Sequence, residues 1–159
     1  MRFRCCNVEH GWMDIVVETD HTSYTMDVSD VMNDCIAGLV TAAIRLNKGE
    51  DIAQVLFWGE PATDTWHIVR DGESLHIKHY WTRETIDELP QPENKLGQLA
   101  DECITTLSEF TNQVIRLVAR FSEIIEQEQT DVNTAWTASY PEKEVEILKE
   151  LRRRKHNGH

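Results

Sequence analysis

A two-residue turn, Asp71-Gly72, does most to limit the folds open to this chain. Asp-Gly between alternating apolar segments favours a tight hairpin, because glycine reaches positive φ without strain. It ties residues 64–70 to residues 73–81 as antiparallel strands. With Asp71 and Gly72 as the loop, Arg70 is expected opposite Glu73, Ile68 opposite Leu75, His67 opposite His76 and Trp66 opposite Ile77. Side chains alternate along a strand, so Trp66, Ile68, Leu75 and Ile77 share the core face. Thr65, His67, Val69, Ser74, His76 and Lys78 share the other face.

The segments before the hairpin add strands and one helix. Residues 2–8 and 12–19 form a pair around the His10-Gly11 turn, with the β-branched run Ile15, Val16 and Val17 in the second. Residues 22–27 alternate as a third strand. Val31, Met32, Cys35, Ile36, Leu39, Val40, Ala43 and Ile44 then fall on one helical face. Asp27 or Ser29 is the expected cap, Asp30 and Asp34 favour the positive end, and Arg45, Lys48 and Gly49 suit the other. The apolar run Ile52 to Trp58 is a strand stopped by Gly59-Glu60-Pro61.

After the hairpin, Pro90, Pro92 and Gly97 make residues 82–97 a loop. Cys103, Leu107, Phe110, Val114, Leu117, Phe121 and Ile124 repeat every seven residues, which predicts one long helix over 98–128. That seam either covers the sheet or pairs two chains as a homodimer through residues 103–124. Residues 132–139 are a turn or short helix, and Pro141 opens a last helix at its first position. The order of elements argues α+β: an antiparallel sheet of five to six strands, an inserted amphipathic helix, and a C-terminal helical pair on one face. At 159 residues the chain is one domain, 1–159, with 156–159 as a frayed tail.

Charge bounds the function. The chain carries 16 Lys plus Arg against 28 Asp plus Glu, a net −12. Four of the cations form the terminal run Arg152 to Lys155, so the rest of the chain carries −16. Such a field repels nucleic acid and anionic lipid and favours a basic protein partner. The terminal run itself complements a helix C-terminus. The N-terminus has cations without an apolar stretch behind them, and no run approaches the ~18 residues of a membrane span. Cys5, Cys6, Cys35 and Cys103 lack C-x-x-C spacing and read as free thiols, so the expected location is cytoplasmic.

No cofactor motif and no nucleophile motif is present, and the chain is expected not to be an enzyme. The cross-strand pair His67 and His76 is the best candidate for metal ligands, but His79 falls on the opposite face and no carboxylate is placed beside the pair. The expected partner-binding surface is instead the hairpin. Glu60, Asp64, Asp71 and Glu73 supply the field there, and Trp58, His67 and His76 supply contacts.

Three stretches carry a resemblance. One is Ser23-Tyr24-Thr25-Met26-Asp27 followed by the helix ending at Lys48-Gly49. The second is Phe57-Trp58-Gly59-Glu60-Pro61, then Trp66-His67-Ile68 and the Asp71-Gly72 hairpin. The third is Trp136 with Tyr140-Pro141, Val145 and Leu148. Their order resembles small bacterial immunity proteins that travel with polymorphic toxins, including contact-dependent growth inhibition systems. The resemblance implies an antitoxin that binds and blocks its cognate toxin domain, often a basic nuclease. No functional residue transfers by position. Two other classes fit the composition: an acidic type III secretion chaperone, usually a dimer, and a hydrolase or metalloenzyme.

Overall fold

A computed structural model describes residues 1–29, 34–128 and 140–157. The fold is α+β with antiparallel strands, as the order of elements implies. Its strands form two sheets rather than one. The first sheet joins β1 (Arg2–Glu9), β2 (Trp12–Glu18) and β3 (Ser23–Ser29) in chain order. Helix α1 (Cys35–Asn47) follows. The second sheet is a meander of β4 (Ile52–Trp58), β5 (Thr63–Asp71), β6 (Ser74–Thr82) and β7 (Gln98–Thr106). Helices α2 (Leu107–Glu128) and α3 (Glu142–Asn157) complete it. None of the described helices is long and apolar enough to cross a membrane.

The β1–β2 turn places His10 at φ 52° and Gly11 at φ 78°, both left-handed, as a tight hairpin loop requires. The central hairpin turns one residue later than its sequence suggests. Gly72 and Glu73 form the loop, with Gly72 at φ +59°, and Asp71 pairs with Ser74. Glycine therefore occupies the first central position, and the second needs no positive φ. Ile68 consequently faces Ile77, His67 faces Lys78, and His76 faces Val69. The expected His67–His76 pair does not form. A one-residue move of the turn displaces each partner by two, so the faces survive: Trp66, Ile68, Leu75 and Ile77 are all buried.

Helix α1 buries Cys35, Ile36, Leu39, Val40, Ala43 and Ile44, the expected face. It packs on β4 and between the other helices. Its cap is Asp34, not Asp27 or Ser29, which belong to β3. The Asp34 carboxylate accepts from the Ala37 N–H at 2.9 Å. Asp34→Ala is expected to cost about 1 kcal/mol of stability, read from a urea midpoint, while Asp34→Ser costs a few tenths. Val31, Met32, Asp30 and Trp136 lie outside the described residues.

The single helix expected over 98–128 is a strand followed by a helix. Residues 98–106 pair with β6, and Cys103 is buried between exposed Glu102 and Ile104, the period-2 pattern of a strand. Cys103 met the seven-residue spacing by coincidence. From Leu107 onward the seam is real, and Leu107, Phe110, Val114, Leu117, Phe121 and Ile124 are buried. They pack inside the chain, with α2 set against β1, α1 and α3. The seam proposed for a homodimer through residues 103–124 is buried within the chain from Leu107 onward.

Pro141 sits one position earlier than expected, its carbonyl accepting the first α3 hydrogen bond from Val145 at 3.0 Å. Helix α3 runs through Asn157 and turns Val145 and Leu148 inward. Its basic end is partly occupied at home. Arg154 pairs with Glu150 at 2.5 Å, and Lys155 reaches Glu73 of the hairpin loop at 3.0 Å.

A strap, residues 83–97, crosses the outer face of the second sheet. Ile86 and Leu96 pack with Tyr80, Leu56 and Leu89 into a small second core. Gln54 holds the strap at Gln91 by two hydrogen bonds, 2.7 and 2.8 Å, and Lys78 and Tyr80 both donate to Glu93.

Candidate functional site

The two sheets meet without sharing a strand ladder. At one such meeting point Gly59, just past β4, lies against β3. A Cβ on Gly59 would stand 2.7 Å from the Asp27 carbonyl oxygen, so only glycine fits without displacement. Beside this contact opens a cleft of about 400 Å³. Four carboxylates line it, each from a different segment: Asp27 from β3, Glu60 from the β4–β5 turn, Asp64 from β5 and Asp101 from β7. Tyr24, His79 and Trp81 supply aromatic walls.

Strand alternation explains the convergence. Asp64, His79 and Asp101 sit on neighbouring strands, with Asp64 opposite Trp81 and His79 opposite Asp101. Asp64 Oδ1 lies 2.5 Å from His79 Nε2. The His79 ring stacks on Tyr24 with centroids 4.6 Å apart and planes 15° from parallel. Asp101 accepts from the Thr19 hydroxyl at 3.1 Å. The Arg83 guanidinium stands 5.8 Å from the Trp81 ring centre.

Among the described residues no lysine or arginine lines the cleft. Asp27 faces Asp14 across the β2–β3 ladder. Partial burial, and then the Asp14 charge, raise the Asp27 carboxyl above its ordinary value. Burial likewise pushes the Tyr24 phenol upward, and the carboxylates of Asp101 and Asp64 add to that. Like charges set together in this way are relieved by a cation. An ammonium or guanidinium group entering the cleft would meet carboxylates on several sides and an aromatic wall. One nitrogen of His79 is engaged by Asp64, and the other, Nδ1, is buried.

The residues expected to bind a partner divide into three groups. Glu60 and Asp64 come together in the cleft. Asp71 and Glu73 stand at the opposite end of the hairpin, seven residues along β5 from Asp64, or roughly 23 Å at 3.3 Å per residue. Glu73 is also engaged by Lys155 and Arg70. Trp58 is half-buried at the end of β4, and His76 is paired with Glu102 at 3.1 Å on the outer face. His67 is not on a free surface: it is 8% exposed and bonded to Gln54 at 2.9 Å under the strap. The single acidic surface expected along the hairpin is therefore a cleft at one end of it.

Asp27 and Asp101 were not among the expected site residues. Alternation in β3 offered a signal for Asp27. Asp101 was hidden by the assignment of 98–106 to a helix. Among the described residues no group of three or more His, Cys, Asp or Glu side chains has an arrangement that could hold a metal ion.

No protein-family model and no curated protein sequence matches the chain. Among solved structures, the chain is similar in backbone to a chain of the CdiA-CT/CdiI toxin and immunity complex from Enterobacter cloacae, with a TM-score of 0.46 and 10% identity over 72% of this chain and 96% of that one.

Proposed function

We propose that this protein is an immunity protein: a non-enzymatic inhibitor that binds a basic toxin domain and covers its active or substrate-binding site. The observation that carries the reading is the cleft, where Asp27, Glu60, Asp64 and Asp101 converge on a chain of net charge −12. A toxin that handles nucleic acid presents lysines and arginines in its substrate groove. The cleft offers such a side chain carboxylates and an aromatic wall, and the surrounding field accelerates encounter. The burial of His79 and its engagement by Asp64 favour binding over catalysis.

The test is co-purification with the C-terminal domain of the protein encoded immediately upstream. Binding is expected to hold at low salt and weaken steeply at high salt. The double variant Asp27→Asn, Glu60→Gln is expected to lose affinity about tenfold, near 1.4 kcal/mol. Its thermal midpoint should not fall, because Asp27→Asn removes the repulsion from Asp14. Unchanged affinity in that variant would place the interface elsewhere.

A further inference from the structure

A second cavity has the opposite character. It occupies about 380 Å³ between the first two strands and the start of α2. Arg2 and Arg4 reach it from β1, and Arg116 from α2. In so acidic a chain, arginines usually find carboxylates, and Arg45, Arg70, Arg120 and Arg154 do. No ion pair among the described residues engages Arg2, Arg4 or Arg116. Among the described residues Arg4 donates to the Cys6 sulfur, at 2.9 Å.

The wall between them is built rather than incidental. Strand β1 is an edge strand, and Gln113 of α2, itself 6% exposed, closes over it by accepting from the Phe3 N–H at 3.5 Å. Glu109 Oε1 accepts from the Gln113 amide at 2.7 Å, which fixes that side chain. Against Glu18, which faces Arg2 across the β1–β2 ladder, and Glu109, the cavity sets three guanidiniums. Their planar forks match the oxygens of a phosphate group.

We infer that this cavity binds a phosphate group, either inorganic phosphate or the phosphate of a small monoester. Its volume lies near the lower end of the range for small-molecule pockets, roughly 300–1,000 Å³. A polyanion or an anionic membrane is disfavoured, since either would span surface beyond one Debye length, about 8–10 Å, and meet the net negative charge. A small anion inside the cavity is governed by the three arginines, with Glu18 and Glu109 as the only acids in its lining.

The experiment titrates the full chain with sodium phosphate and with adenosine monophosphate, against chloride at matched ionic strength, by calorimetry and by thermal midpoint. Saturable binding and a saturable rise in the midpoint are expected. Arg116→Gln and Arg4→Gln should each weaken phosphate binding about tenfold, and Glu18→Gln should strengthen it. Tighter binding of the nucleotide identifies a monoester site, and equal binding a bare phosphate site. Arg116 is exposed, so its variant should fold even if Arg4→Gln does not. A response equal to that of chloride, or one that Arg116→Gln leaves unchanged, overturns the assignment.

Discussion

Trp66→Ala is expected to remove about 3–5 kcal/mol of stability, the cost of truncating a fully buried aromatic side chain. Folded domains hold only about 5–15 kcal/mol in total, so the variant should sit near or past its unfolding threshold at moderate temperature. Trp66 is 0% exposed. It contacts Phe3 of the first sheet at 5.2 Å between ring centres and Phe57 of its own sheet at 4.8 Å, both edge-on. Phe3 in turn meets Phe110 of α2 at 5.9 Å. The indole is thus the wedge through which two sheets and a helix share one core, and its loss leaves a cavity that no single element can close. Urea unfolding measures this. Trp66→Phe should recover a large part of the loss. A cost below about 1.5 kcal/mol for the alanine variant would show that the sheets do not depend on one another.

The second large effect belongs to the strap. Gln54→Ala is expected to cost about 2 kcal/mol, because it leaves the Gln91 N–H, the Gln91 carbonyl and His67 without their shared partner. The bond to His67 also makes the strap sensitive to acid. The Gln54 amide donates one hydrogen to the Gln91 carbonyl, so its other hydrogen meets His67 Nδ1, which must then be unprotonated. Burial holds His67 below its ordinary value of 6.5, with Glu93 opposing and Lys78 assisting. A base with a depressed folded-state value binds more protons when unfolded. Its contribution is therefore full above the unfolded value and is lost as pH falls below it. Glu93 acts in the same sense at lower pH: hydrogen bonds from Lys78 and then Tyr80 hold its carboxyl below the ordinary value of 4.5, and acid removes that contribution.

Amide exchange in residues 83–97 should therefore quicken between about pH 7.5 and about pH 5.5, after correction for intrinsic rates, while α1 stays protected. In Gln54→Ala the strap should already exchange fast at the higher pH and respond less to acid. Equal protection of residues 83–97 in both proteins at both pH values would refute the role given to Gln54.

Local pattern and long-range geometry account for what the sequence showed and what it hid. The β1–β2 turn, the face of α1 and the inward face of the hairpin follow from period and turn chemistry, which are local. The hairpin partners were missed by two because Asp-Gly permits two placements of the loop, and only the packed ladder chooses between them. β7 was missed because its pairing partner, β6, lies beyond any local window, and Cys103 matched the helical seam by chance. The strap was legible as a loop from Pro90 and Pro92, but nothing nearby announced that Gln54 would hold it. The same limit applies to the cleft. Glu60 and Asp64 are four residues apart and were found together, while Asp27 and Asp101 arrive from elements 33 residues before Glu60 and 37 after Asp64.

The contact between Gly59 and the Asp27 carbonyl has a consequence for inheritance. The close approach there is made by main-chain atoms, whereas the cleft's charge is carried by side chains. Asp27 and Glu60 are exposed and lie outside the cluster around Trp66. Substitution at those two positions rewrites the lining without disturbing what keeps the chain folded. A lineage built on this scaffold can change the charge of its cleft in single steps, each passing through a folded protein.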